Sequence, residues 1–421
     1  MHENTKIVSR SVLRDVESAS QMMRRFFRVT KETMRAMAGY LPTMRIWWAK
    51  KMLARHIWLD AMHADMLRSR ALDLRYPRID VDENIDVHLI HVLEKLPVVT
   101  SDEQFIIRVY RVIKPAMLQS FEKYMATSDP LDDAPSHVYL QRMINELKQE
   151  LEEFDEACTR NGSSGGFDCV SLEQEFKAIM ESCGGTEGPD QEPGAEFGDY
   201  LNQPEYVIPL EGGRDTSWEP AVMQVPPRAP RNIKEKLVWV AIDHANEVWA
   251  AETPAALIWQ YKKAPWPMIL DASRWCYDEM RHAMMGVERL EALGLQAGID
   301  TPMVPDHWRA FSERGIESLL LLLHGLEQSG PRHKMNLRKT LSEVNDFDGA
   351  QDCDYDWADE SGHISFGLAW IKLVFPNWSK EQIMSETRKI CEEWSEWIQR
   401  RHREGTHGYE KFMERIEDKC S

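Results

Sequence analysis

Asp359-Glu360-Ser361-Gly362-His363, with its twin Asp278-Glu279-Met280-Arg281-His282, decides how this chain reads. Each stretch is Asp-Glu-x-x-His. On a helix, side chains three positions apart share a face, with Cβ atoms about 5–6 Å apart. A Glu and a His so placed can point at one ion. A dinuclear carboxylate site in a four-helix bundle takes two such helices and one further Glu from each of the other two.

The two further glutamates are present at matched spacing. Glu247 lies 32 residues before Glu279, and Glu327 lies 33 residues before Glu360. Glu247 falls in the apolar-periodic segment 237–261, and Glu327 ends the leucine-rich run that starts at Ile316. Two halves with nearly equal internal spacing read as a duplicated helical hairpin with metals between the copies. The bare motif carries little by itself. With 69 acidic residues and 14 His in 421, about two acid-x-x-His pairs arise by chance. The chain has four, the others being Asp60/His63 and Glu404/His407. The preceding Asp, the upstream Glu and the helical context set Glu247, Glu279, His282, Glu327, Glu360 and His363 apart as metal ligands.

The preceding acids have two readings. A metal-bound His donates its other ring N–H to a carboxylate, which fixes its tautomer. In a two-fold site Asp278 would orient His363, and Asp359 would orient His282. The competing reading makes both solvated acids on helix surfaces.

The segment 235–375 resembles the ferritin-like superfamily of di-metal carboxylate proteins. It is most similar to a bacterial branch of mostly unassigned function related to the tRNA-hydroxylase type. The resemblance rests on Glu247-x4-Glu252, Asp278-Glu-x-x-His282 with Glu288-Arg-Leu-Glu-Ala-Leu-Gly294, Leu326-Glu327, and Asp359 to Gly367. It implies a four-helix bundle, two iron ions (or manganese) and oxygen chemistry, without naming a substrate. Pro254 departs from a regular first ligand helix and should kink it or force a bulge. That leaves Glu247 and Glu252 competing to face the metals. Matching position favours Glu247, with Glu252 nearby in support.

The rest of the chain reads as all-α. Residues 1–157 form a degenerate second bundle, 158–232 a Gly/Pro-rich linker that is partly packed, 233–376 the di-metal bundle, and 377–421 a helical extension. In the first bundle Asp60 and His63 stand where Glu279 and His282 do, and Glu122 where Glu327 does. Glu146-Leu-Lys-Gln149 is the nearest echo of the last motif. A separate metal on His56, Asp60 and His63 is the alternative there. Asn232 with Glu235 forms a capping box at the start of the catalytic bundle. Trp275 and Trp370 read as core.

Net charge of −18 and pI near 5.3 argue against a nucleic-acid surface, which would show a basic stripe. The N-terminus lacks the apolar stretch of a signal peptide, and the longest leucine run falls far short of a membrane span. Seven dispersed Cys without Cys-x-x-Cys fit a reducing cytoplasm. The expected activity is a non-haem oxidase or oxygenase acting on a small molecule with O2, re-reduced by an electron donor or by the substrate itself. A homodimer is left open. The competing class is a ferritin-like storage or scaffold protein without turnover.

Overall fold

The computed structural model describes residues 14–74, 81, 86–161, 169–222, 224, 226–305, 314–328 and 330–420. The chain is all-α: among these residues the only extended pairing is an isolated bridge between Ala297 and Thr301. It divides into two compact units, Met1–Ala36 with Leu59–Tyr206, and Met37–Trp58 with Val207–Ser421. No described helix is long and apolar enough to cross a membrane.

The first unit holds most of α1 (Val16–Tyr40) and α2 (Trp47–Leu74), then α3 (Val87–Glu94), α4 (Asp102–Ile107) and α5 (Lys114–Ala126). A π-helical turn, Arg108–Ile113, joins α4 to α5. The unit continues with α6 (Ala134–Arg160), α7 (Cys169–Ser182) and α8 (Gly198–Leu201). Aromatic pairs fill its core: Phe26 meets Phe121 edge-on at 5.0 Å, and Tyr110 stacks on Phe154 at 4.8 Å. The start of the expected linker is part of this unit. Asp190 accepts from the backbone N–H of His88 and Leu89, both at 3.0 Å, and so caps α3 from a distance. Arg25 donates to Asp86 at 2.8 Å and to the carbonyls of Cys183 and Gly185.

The second unit is built from α9 (Ile233–Ala245), α10 (Val248–Gln260), α11 (Trp266–Ala292), α12 (Ile316–Glu327), α13 (Gly330–Glu343), α14 (Phe347–Val374) and α15 (Lys380–Cys420). Helices α11 and α14 pack together, α9 and α10 lie along α11, and α12 packs on α14. Part of the stretch expected to begin the third helix, 306–313, lies outside the described residues. The C-terminal extension is one helix, α15, that packs on α9 and α12 and belongs to this unit.

The boundary differs from the expected one. Met37–Trp58 joins the C-terminal unit because Lys50, fully buried, pairs with Glu252 on α10 and donates to the Gly213 carbonyl at 2.9 Å. The break in the first ligand helix is also not at Pro254. It falls at Asn246-Glu247, between α9 and α10. Asn246 holds it there. Its Nδ2 donates to the carbonyls of Ile242 and Pro302, and its Oδ1 accepts from the Val304 N–H. Across the break runs Gly286 of α11, where a Cβ would sit 2.1 Å from the Ala245 nitrogen. Only glycine permits that approach.

At the entry to α9, the Asn232 side chain accepts from the Glu235 N–H at 2.9 Å, as the capping box requires. Glu235 does not return to Asn232. It accepts from the Arg231 N–H at 2.6 Å and takes Arg228 in a two-point pair at 2.7 and 2.8 Å. Those hydrogen bonds, from Arg228 first, hold its carboxyl down at about 2 from 4.5. A depressed carboxyl contributes stability above its unfolded pKa and loses it as pH falls through the folded one. Glu235→Gln is therefore expected to cost about 1–2 kcal/mol at neutral pH. The deficit should shrink as pH falls from 4.5 toward 2, which denaturant melts across that range will show.

Candidate metal centre

The second unit gathers five carboxylates, three imidazoles and one ammonium at the facing surfaces of α9–α14. Four of the expected ligands come from the two Glu-x-x-His helices. The Nδ1 of His282 lies 3.5 Å from Glu247 and 3.6 Å from Glu279. The Nδ1 of His363 lies 3.2 Å from the other oxygen of Glu279 and 3.6 Å from Glu327. Two compact triads result, Glu247/Glu279/His282 and Glu279/Glu327/His363, and Glu279 serves both. Glu247 reaches the cluster from the joint between α9 and α10, so the helix break is what positions it. Glu327 reaches it as the last residue of α12.

Glu360, the sixth expected ligand, stands outside both triads. Its Oε1 lies 3.7 Å from the Lys334 ammonium on α13. Burial, reinforced by Asp356, Glu327 and Glu247, pushes its carboxyl up to about 9 against the pull of Lys334. Burial likewise raises Glu327 to about 7, with Glu279 adding to it. Glu279 goes the other way. Desolvation opposes its charge, but the neighbouring imidazoles of His282 and His363 outweigh that and hold it well below the ordinary range. Both imidazoles are pushed upward by their carboxylates despite burial.

Behind the triads, the His363 Nε2 lies 3.4 Å from Asp278 and the His282 Nε2 lies 3.3 Å from Asp359. Each motif's Asp thus faces the other motif's His. Arg281 donates to both acids at 2.9 Å, and Arg274 grips Asp278 at 2.7 and 2.8 Å. Neither acid is a solvated surface charge; Asp278 is only 2 % exposed.

The sequence reading missed four contributors. Trp275, read as core, donates from Nε1 to Glu279 at 2.8 Å and stacks on His363 at 4.8 Å. Asp356 is fully buried one turn before Glu360, with Oδ1 3.8 Å from His282 Nδ1 and Oδ2 2.8 Å from His244 Nε2. Lys334 donates to Asp356, approaches His244 at 2.8 Å and reaches Glu247 at 3.2 Å. Asp356-x-x-x-Glu360-x-x-His363 shares one helical face and could have been found by extending the motif one turn back. Nothing in the local sequence marks Lys334 or His244.

Glu252 belongs elsewhere. Its carboxylate is taken up by Lys50 and by Arg214 at 2.6 Å, so it neutralises buried cations and does not back the ligands. In the first unit Glu122 is also not where the motif comparison put it. It is half-exposed and paired with Lys148 at 2.8 Å. Asp60 and His63 are buried, but their partners are Glu150 and Glu146: His63 Nε2 meets Glu146 at 2.7 Å, and Lys114 bridges Asp60 and Glu150. His56 falls in the other unit. The side chains of Glu404 and His407 lie outside those described.

The donors suit metal ions on two counts. Ions that bind oxygen and nitrogen at about 2.0–2.2 Å hold their own ligand atoms about 3–4 Å apart, the spacing of each imidazole from its two carboxylates. In addition, the buried atoms Glu247 Oε2, Asp356 Oδ1, Glu360 Oε2 and His363 Nδ1 have no hydrogen-bond partner among the described residues. Buried polar atoms are ordinarily satisfied. Unpaired donors of this kind could take up a cation. Beside it, a cavity of about 220 Å³ lies between Trp239, Val240, Asp243, His333 and Leu337, and shares His244 and Lys334 with the cluster.

No protein-family model matches the chain, and no curated protein or solved structure matches it. What the described residues define by themselves is a helical bundle around a buried cluster of Glu, Asp and His.

Proposed function

We propose that this chain is a ferritin-like non-haem dinuclear oxidoreductase, working in the cytoplasm, that uses O2 to oxidise a small molecule. The observation that carries the reading is the pair of triads sharing Glu279, in which Glu247 Oε2 and His363 Nδ1 are buried without a hydrogen-bond partner among the described residues. One ion would rest on Glu247, Glu279 and His282, the other on Glu279, Glu327 and His363. Hard carboxylate oxygens with imidazole suit Fe(II) first and Mn(II) second. When bound, such a pair supplies two electrons to oxygen in one place.

The protein's own part is to hold and shield. Asp278 and Asp359 keep each ring nitrogen that faces away from the ions protonated, so Nδ1 is the free donor. Trp275 fixes one oxygen of Glu279 and walls off His363. Lys334 and His244 separate the ligands from the 220 Å³ cavity, which has room for a small substrate only. Turnover requires an electron donor, or a substrate that gives up all the electrons itself.

The test compares reduced, iron-loaded chain with and without oxygen, following oxygen uptake, substrate loss and iron per chain. Uptake is expected to follow substrate, with iron constant at two per chain. Equal conversion under strict anaerobiosis would sink the proposal, and so would iron accumulating far beyond two as mineral.

A further inference from the structure

We infer that Lys334 fills a third cation site, built by His244, Glu247, Asp356 and Glu360, and that its ammonium keeps a divalent ion out. The Lys334 Nζ has His244 Nε2 at 2.8 Å, Glu247 Oε1 at 3.2 Å and Glu360 Oε1 at 3.7 Å, and it donates to Asp356 Oδ2. One imidazole and three carboxylates around a point are a ligand set for a divalent metal. His244, Glu247 and Asp356 approach one another closely enough to share an ion. The lysine is only 5 % exposed, and three carboxylates and one imidazole surround its ammonium. It is a resident cation.

One further observation supports the assignment. The first unit repeats the device. Lys114, also buried, donates to both oxygens of Asp60 at 2.8 and 2.7 Å and to Glu150 at 2.5 Å, where Asp60, His63 and Glu150 form a ligand set of the same kind.

The charge balance gives the reason for such a plug. The five carboxylates of the cluster carry five negative charges when ionised, and Lys334 cancels one. The remaining four match two divalent ions. Without the ammonium, Asp356 leaves one charge buried and unbalanced, which is strongly unfavourable. A divalent ion is the available substitute.

The inference concerns a count relative to wild type, so it stands apart from the proposed function. Full-length wild type, Lys334→Met, Lys114→Met and Lys334→Met/Asp356→Asn are dialysed against Mn(II) and analysed for metal per chain, with melting followed in parallel. Each single variant should hold one ion more than wild type, whatever wild type holds, and its melting temperature should rise with Mn(II). The double variant, neutral at both positions, should fold without added metal and keep the wild-type count. A Lys334→Met chain that gains no ion overturns the inference. So does one that fails to fold and is not rescued by Mn(II) while the double variant folds. A wild type that binds no Mn(II) while the variant binds one would overturn the proposed function and leave this inference standing.

Discussion

Glu279→Ala is expected to take the chain from two bound divalent ions to none, whereas Glu247→Ala and Glu327→Ala should each leave one. The asymmetry follows from geometry. One oxygen of Glu279 faces His282 at 3.6 Å and the other faces His363 at 3.2 Å, so its removal strips both triads together. Of the two triads that share Glu279, Glu247 serves only the one at His282 and Glu327 only the one at His363. Without Glu279 the His363 position keeps one carboxylate and one imidazole, and the His282 position adds only Asp356 Oδ1 at 3.8 Å, on a carboxylate already engaged by Lys334 and His244, which is too little to hold a first-row ion against water. Removing the charge also leaves His282 and His363 next to each other with less to balance them. Metal analysis of the three variants after anaerobic loading with Fe(II), and separately with Mn(II), measures this directly. If Glu279→Ala still held two ions, or if Glu247→Ala emptied both positions, Glu279 would not be the shared ligand.

How far the sequence revealed this site depends on how local each signal is. Period-3.6 arguments place Glu279 with His282 and Glu360 with His363 because each pair shares a helix. The crossed arrangement of Asp278 and Asp359 was legible for the same reason, once two-fold symmetry between the motifs was assumed. Asp356 sits one turn before Glu360 on the same face, outside the Asp-Glu-x-x-His spacing, which therefore does not mark it. Lys334 and His244 could not be read in this way. Their meaning comes from α13 and α9 being folded against α14, and no spacing encodes that. Trp275 shows a related limit: a buried tryptophan at helical spacing looks like core whether or not its N–H meets a ligand.

The larger-scale errors have the same origin. Pro254 is a strong local signal for a kink, but Asn246 spends its whole side chain pinning a break farther upstream. The unit boundary is set by buried charge: Lys50 needs Glu252, and that pair draws the corner between α1 and α2 into the C-terminal unit. Glu252 looked like a ligand neighbour because it follows Glu247 on an apolar helix. Its actual role is set by Lys50 and Arg214, which lie far away in sequence. The all-α class was readable because it depends on periodicity alone, whereas partners across helices depend on the packed core.

Replacing Asp278 by Asn is expected to weaken the ion beside His363, and Asp359→Asn the ion beside His282, each by about 10–100-fold. The assignment is crossed because each acid reaches the imidazole of the opposite motif, at 3.4 and 3.3 Å. A neutral amide can still accept the ring N–H, but it no longer makes the imidazole a stronger donor. It can also turn its own NH2 toward the ring and favour the wrong tautomer. Arg274 and Arg281 sharpen the comparison, because they touch both acids. Losing either carboxylate leaves the same two guanidinium groups with one partner fewer. A general electrostatic effect would therefore weaken both ions alike, whichever acid was changed. Single-site backgrounds separate the two cases. In Glu247→Ala, which keeps only the His363 position, Asp278→Asn should weaken Mn(II) binding and Asp359→Asn should change it little. In Glu327→Ala, which keeps only the His282 position, the order should reverse. Equal losses in both backgrounds would reduce the two acids to bulk charge; a reversed pattern shows that each holds one imidazole, and through it one ion.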